Sequence, residues 1–270
     1  MSAENSTKTY SVFQWVRGVR KSGSLELIGE EPLLIRIDEK PYSVVMRTPG
    51  EEVFHAAGFS LGEGIADTPD DFLTIGYCRD LDPNVVDIRL KPERREKIRD
   101  ILERRGFVSQ TSCGICGKEM VEDLYQAVTP TEKSFQISVP HIVGCINRLA
   151  ENQKHYQTTR GSHAALLLDD QLEEVSFAED VGRHNALDKA VGRAFMNRTL
   201  ASANVAVLSS RISYELVQKA ARAQVPIIIG ASRPTTLAVE MAKALNLTLA
   251  FSADASEVIV VCGEDRIKRE

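Results

Sequence analysis

Cys113 and Cys116 stand three positions apart in "SCGICG", residues 112 to 117, each followed by a glycine. Two thiols at this spacing can share a metal ion, close a disulfide or pass a sulfur atom between them. Zinc needs four ligands, usually from a second short-spaced Cys or His pair. The five histidines (55, 141, 155, 163, 184) are scattered, so no structural metal is expected. Thioredoxin-type chemistry wants the pair directly after a strand and at the mouth of a helix. Here it follows a helical stretch, with Gly114 and Gly117 in and behind it. Glycine loosens the chain, and a sulfur relay fits such a loop: a thiolate attacks a persulfide and hands the sulfur to an acceptor. Zinc nucleobase deamination would require an H-x-E segment ahead of P-C-x-x-C, and the sequence has no H-x-E.

A second candidate site lies in the C-terminal half. "SSRISYE" (209 to 215) and "ASRPTT" (231 to 236) each place small hydroxylic residues and an arginine between a strand and a helix. Helix N-terminal amides with Arg211 or Arg233 beside them can cradle phosphate. The plainer alternative is Ser/Thr capping with Pro234 in the first turn. "EDVGRHNALDK" (179 to 189) gathers Glu179, Asp180, Arg183, His184, Asp188 and Lys189. It reads either as a binding segment or as a hydrogen-bond network at a helix start.

These groups must be held by the surrounding elements. After a polar lead, "LELIGEEPLLIRIDEKPYSVVMRTP" reads as two strands around "DEKP", "EEVFHAAGFSLGEG" as a helix ending in glycines, and "FLTIGY" and "VVDIRL" as short strands. "KPERREKIRDILERRG" reads as a helix started by Pro92 and ended by Gly106. From Lys91 to Arg105 it carries seven basic and four acidic residues, either a solvated face stitched by ion pairs or a basic wall favouring a nearby thiolate.

From about residue 135 helices and strands alternate. "VPHIVGCINRLAENQKHYQ" is helical, "HAALLLDDQLEEVSFA" is two strands about an Asp-Asp turn, and "GRHNALDKAVGRAFMN" is a helix. Strand, helix, strand, helix, strand, strand then follow to "EVIVVCG". Buried β-branched runs separated by helices of about a dozen residues specify a partly parallel sheet with helices on its faces. The fold class is α/β with an α+β N-terminal part. The expected division is a flexible lead (1–22), a small domain (23–130) ending in the mobile cysteine loop (107–118), and an α/β domain (131–270).

With 33 basic against 38 acidic side chains the net charge is -5, which argues against nucleic acid as a partner. The longest apolar runs, such as "VPIIIGA", are far short of a membrane span, and "MSAENSTKTY" has no signal-peptide core. No membrane partner and a cytoplasmic location are expected. Cys78, Cys145 and Cys262 lie in or beside apolar runs and read as small hydrophobes.

Taken in order, "GFSLGEGI", "SCGICG", "EDVGRHNALDK", "SSRISYELVQK" and "TTLAVEMA" with "NLTL" resemble the FdhD/NarQ family, from about residue 30 to 262. The resemblance implies a cytidine-deaminase-like C-terminal domain without the catalytic zinc, and a homodimer. It further implies a sulfurtransferase that takes sulfur from a cysteine desulfurase and delivers it to the molybdenum bis(guanine dinucleotide) cofactor of formate dehydrogenase. Cys113 would then carry the persulfide and Cys116 assist. Phe251, Ser252, Ala253, Asp254, Ala255, Ser256 and Glu257 would meet the cofactor, and Arg211, Thr235 and His184 complete the candidate cofactor-binding set. Two departures stand out: Asp254 and Glu257 lie where relatives often have a basic residue, and "TRGSH" before and at His163 adds Arg160. The rival function is a cofactor-holding chaperone whose cysteines sense redox state, with a thiol-disulfide oxidoreductase as a weaker third.

Overall fold

The computed structural model describes residues 6–77, 83–99, 102, 128–254 and 257–268. Cys78, Cys113, Cys116, Ala255, Ser256 and the whole 107–118 loop lie outside the described residues.

The chain opens with an antiparallel ribbon, β1 (Thr7–Val16) and β2 (Val19–Ile28). Arg17 and Gly18 turn it with φ of 50° and 82°, the doubly left-handed pair that suits a two-residue hairpin. Within the 1–22 lead, residues 7–16 and 19–22 are strand. Most side chains of these strand residues are exposed, so they carry no core signature.

A four-stranded sheet follows, in the order β4-β3-β6-β5. It consists of β3 (Glu31–Ile37), β4 (Lys40–Arg47), β5 (Phe72–Tyr77) and β6 (Val85–Leu90). Alternation sets its inner face: Leu33, Ile35 and Ile37 of β3 are buried with Val86, Ile88 and Leu90 of β6. Between β4 and β5 runs helix α1 (Glu52–Gly62), whose end is followed by Gly64 at φ 74°. Helix α2 (Pro92–Lys97) starts at its proline as the sequence specifies.

The second sheet has six strands in the order β12-β11-β10-β9-β7-β8. Strands β9 (Val205–Leu208), β10 (Ile227–Gly230) and β11 (Thr248–Asp254) are parallel neighbours. Strands β7 (His163–Leu168), β8 (Glu174–Asp180) and β12 (Glu257–Cys262) pair antiparallel on the flanks. Helix α3 (Val139–Asn152) covers one face, packing Ile142, Cys145 and Leu149 with Leu166, Val207 and Ile229. The expected single helix over 139–157 is interrupted at Gln153, and α4 (Lys154–Thr159) turns away from it.

The other face carries α5 (Arg183–Met196), α6 (Tyr214–Arg222) and α7 (Thr236–Ala244). Here α1 lies directly on α5. A Cβ on Gly58 would stand 1.9 Å from the Asp188 carbonyl oxygen, and one on Gly192 1.8 Å from that of Phe54. Only glycine lets the two backbones approach so closely. One buried cluster consequently runs from Leu33 and Ile88 of the small sheet through Ala56 and Phe59 to Leu187, Ala206 and Ile228. The segments expected as separate domains, 23–130 and 131–270, hold one sheet each and share this core. Among the described residues, no helix is long and apolar enough to cross a membrane.

Candidate functional site

Parallel strands β9, β10 and β11 deliver their following segments to one end of the six-stranded sheet. Antiparallel β7 starts there and β8 finishes there, since His163 pairs with Asp180 and Ala165 with Leu208. Helices α5, α6 and α7 all begin at this end as well, each from the strand preceding it. Their N-terminal amides and dipoles make it the anion-receptive side of the sheet, where open α/β sheets commonly bind ligands.

The two strand-end segments lie side by side. Ile212 bridges to Pro234 in parallel, and the Thr235 amide donates to the Ile212 carbonyl at 3.0 Å. Arg211 and Arg233 each precede a bridge partner, and both are exposed. Thr235 caps α7, its hydroxyl accepting from the Ala238 amide at 3.3 Å, so for this side chain the plain capping role holds. Ser213 does not cap α6. Its hydroxyl donates instead to Glu215 Oε2 at 2.8 Å, and His184 Nε2 lies 3.2 Å from both Ser213 Oγ and Glu215 Oε2. The His184 hydrogen bond, against the effect of burial and with help from Ser213, holds the Glu215 carboxyl down to about 2. One helix over, Ser209 Oγ accepts from the Ala164 amide at 2.8 Å and lies 3.4 Å from His163 Nδ1. Burial, then the nearby Arg183 and His184, lower the His163 pKa. Arg183, Arg211 and Arg233 thus gather positive charge where three helices begin, beside the imidazole rings of His163 and His184.

Of the 251–257 segment, the described residues belong to β11 and β12, which pair antiparallel. Phe251 is buried in β11 between Gly230 and Ile259, Ser252 Oγ donates to the Glu257 carbonyl at 3.4 Å, and Asp254 pairs with Glu257. The structure brings His184, Arg211, Thr235, Phe251 and Ser252 to one end of the sheet. Ala253 and Asp254 continue β11 there. Sequence reasoning placed Arg183, His163 and Glu215 within its segments without assigning them to the site. The signal available was position at a strand end, which becomes specific only once strand order is known.

Much of "EDVGRHNALDK" is structural. Lys189 Nζ lies 2.7 Å from Asp180 Oδ2 and donates to the Thr48 carbonyl at 2.7 Å, and both charged side chains are essentially inaccessible. Asp180 also accepts from the amides of Thr48 and Gly182 and from Asn185 Nδ2. Asp188, whose pKa burial raises, pairs with Lys219 Nζ at 2.8 Å. Glu179 receives the amides of His155 and Tyr156 and the Ser162 hydroxyl. Beneath this network His55 is fully buried, and burial together with Lys189, Lys219 and Arg47 holds its pKa well below 6.5. Asn185 stands near its ring without meeting hydrogen-bond geometry.

The basic run ahead of the cysteines is also largely committed. Arg94 is buried and donates to the carbonyls of Gly64 and Ile65 and to Asp67. Arg95 pairs with Asp38, Lys97 with Asp67 and Arg99 with Glu96. As far as it is described, the run is a clamp on the 64–67 turn with exposed ion pairs, and these cations do not form a free wall. Cys145 and Cys262 are buried. Burial pushes the Cys145 thiol up to about 11 and raises that of Cys262, as expected of small hydrophobes. Among the described residues no group of three or more His, Cys, Asp or Glu side chains is placed to hold a metal ion.

A mixed α/β protein with cationic helix starts at the carboxyl ends of its parallel strands is the class that the fold and site define. The FdhD/NarQ family model matches residues 28–268, and the chain belongs to that family. It is 38% identical over 251 residues to the sulfur carrier protein FdhD of Streptomyces coelicolor, covering 89% of this chain and 88% of that one. The sulfur carrier protein FdhD of Mycobacterium tuberculosis is 35% identical over 250 residues, covering 88% of this chain and 90% of the other. In structure the chain is similar to a crystal structure of a candidate formate dehydrogenase accessory protein from Desulfotalea psychrophila. The TM-score is 0.77 at 21% identity, covering 97% of this chain and 99% of that one, a likeness of fold.

Proposed function

We propose that this protein is a sulfur carrier in formate dehydrogenase maturation, with Cys113 as the sulfur-bearing thiol. The observation that carries the reading is likeness to proteins named sulfur carriers over nearly nine-tenths of both chains, in a chain that has a C-x-x-C. The Cys113 thiolate attacks the outer sulfur of a cysteine desulfurase persulfide, the donor S–S bond breaks, and the donor leaves as a thiolate. Delivery follows when the Cys116 thiolate attacks Cys113 Sγ. The sulfane sulfur departs with the bonding pair as sulfide, and the two cysteines are left as a disulfide that a cellular thiol re-reduces.

The acceptor in this reading is the molybdenum bis(guanine dinucleotide) cofactor, a substrate held at the carboxyl ends of the parallel strands. Arg211, Arg233 and the starts of α5, α6 and α7 suit its phosphates by charge and by amide donors. Asp254 and Glu257 carry charge that would repel phosphate, so the 251–257 segment is assigned the nucleoside portion. Arg160, held at φ 58° beside the Tyr156 ring, is a further cation on the neighbouring loop. A cytoplasmic location goes with this assignment, because both the donor and the maturing enzyme must be reached there.

Complementation tests the reading. Cys113→Ala is expected to fold as the wild type does and to leave a host lacking the native gene without formate dehydrogenase activity. Full activity with that variant would overturn the role of Cys113.

A further inference from the structure

The residues ahead of α5 and α6 make no side-chain cap. Gly182 has no side chain to offer, and Ser213 directs its hydroxyl to Glu215 Oε2 instead. Between these two helix starts stands His184, in the first turn of α5, with Nε2 3.2 Å from both Ser213 Oγ and Glu215 Oε2. The donor count decides which nitrogen carries hydrogen. The Ser213 proton already goes to Glu215, and a carboxylate only accepts, so the imidazole donates from Nε2 to both oxygens. The other ring nitrogen, Nδ1, has no hydrogen-bond partner among the described residues. The side chain is 31% exposed, and Nδ1 is not sealed from solvent.

An open Nδ1 changes character with one proton. Neutral, it presents a lone pair, which repels an anion; protonated, it presents an N–H donor beside the start of α5. Glu215 of α6 is an ionised partner on the far side of the ring, since the His184 hydrogen bond, against burial and with help from Ser213, holds its carboxyl down to about 2. Asp188 of α5, another carboxylate near the ring, is buried and paired with Lys219 of α6. Arg183, the neighbour of His184 in α5, and His163 of β7 oppose added positive charge there. A phosphate held by Arg183, Arg211 and the helix starts offsets that opposition, so anion binding and protonation support each other.

We propose that Glu215 is a positioning residue that holds His184 as an imidazolium when a phosphate group occupies these strand ends, so that nucleotide binding takes up a proton from solvent. The inference rests on the reading of this end of the sheet as the nucleotide site and adds its proton chemistry. His184 meets the phosphate through Nδ1–H, and Glu215 and Ser213 act only through the ring, by accepting Nε2–H.

Calorimetric titration of the full chain with GDP, repeated in buffers of different ionisation enthalpy, counts the protons taken up. At about pH 8 the ligand has no proton of its own to exchange, because the second ionisation of a phosphate lies near about 6. Wild type is expected to bind GDP with uptake of a fraction of a proton. Glu215→Gln keeps the size and the hydrogen-bonding oxygen but not the charge. It is expected to lower the uptake by about half or more and to weaken binding about threefold or more. His184→Gln is expected to abolish the uptake. Circular dichroism matching wild type shows that a variant remains folded. A merely structural Glu215 would alter affinity and leave the proton count as it is. Binding by wild type without uptake, uptake unchanged in Glu215→Gln, or uptake retained in His184→Gln would overturn the inference and leave the nucleotide site standing. No binding of GDP by wild type would overturn both.

Discussion

Lys189 Nζ reaches Asp180 Oδ2 at 2.7 Å inside the protein, and the same ammonium donates to the Thr48 carbonyl. Asp180 ends β8 and Lys189 lies in α5, whereas Thr48 follows β4 of the other sheet. One buried ion pair thus joins the two sheets directly behind the start of α5, the helix that carries Arg183 and His184.

Removing the cation leaves the Asp180 carboxylate buried without its counter-charge. Lys189→Met is expected to cost about 3–5 kcal/mol of stability, read as a lower urea midpoint with the slope preserved. A midpoint within error of wild type would show that the pair holds nothing together.

The α1–α5 crossing makes a sharper steric test. Gly58→Ala forces Cβ into the Asp188 carbonyl, so the helices must separate, at about 1–3 kcal/mol or more. Gly144→Ala, within α3 with nothing inside 4 Å of the new Cβ, is expected to be neutral or to stabilise by up to about 1 kcal/mol. Thermal unfolding of the two variants side by side checks the contrast.

Two groups contribute to the acid limb of stability in separate pH windows. His55 is neutral when folded, with its pKa well below the 6.5 of the unfolded chain, so the unfolded state binds the extra proton. Stability attributable to His55 is complete above pH 6.5 and falls as pH drops below it. Glu215 is depressed from 4.5 to about 2, so its contribution is present above pH 4.5 and is lost as pH falls from there to about 2. His55→Leu should flatten the first window and Glu215→Gln the second, in unfolding free energy measured against pH. Unaltered slopes in both would contradict the assignment.

The cationic strand ends can be probed with GDP, which carries the guanine and phosphate chemistry of the proposed acceptor. Arg211→Ala is expected to weaken GDP binding about tenfold at low salt, with a shallower salt dependence than wild type. Arg148→Ala serves as the control. Arg148 donates to the Leu172 carbonyl at the β7–β8 turn, the other end of the sheet, and its loss is expected to leave GDP affinity unchanged by calorimetry.

The sequence disclosed most elements because burial writes a pattern. Leu33, Ile35 and Ile37 alternate, and "NVAVLSS" and "VPIIIGAS" are continuous because both faces of the large sheet are covered. The ribbon was missed because exposed strands leave no such pattern, although Arg17-Gly18 was a turn signal. Lys189, Asp180 and Arg94 were legible as charges, but a charged side chain reads as surface until its partner from another element is known. For the site, strand-end arginines and hydroxyls could be found by position. The pairing of His184 with Glu215 and Ser213 could not, since it depends on how α5 lies beside α6.

The central claim is that Cys113 carries sulfur, and intact-protein mass spectrometry tests it most directly. Wild type, Cys113→Ala and Cys116→Ala would each be incubated with a cysteine desulfurase and cysteine, then measured before and after reduction. The expected result is a reducible gain of about one sulfur atom on wild type, absent from Cys113→Ala, with buried Cys145 and Cys262 unmodified. No gain on wild type with a competent donor, or an equal gain on Cys113→Ala, would contradict the account.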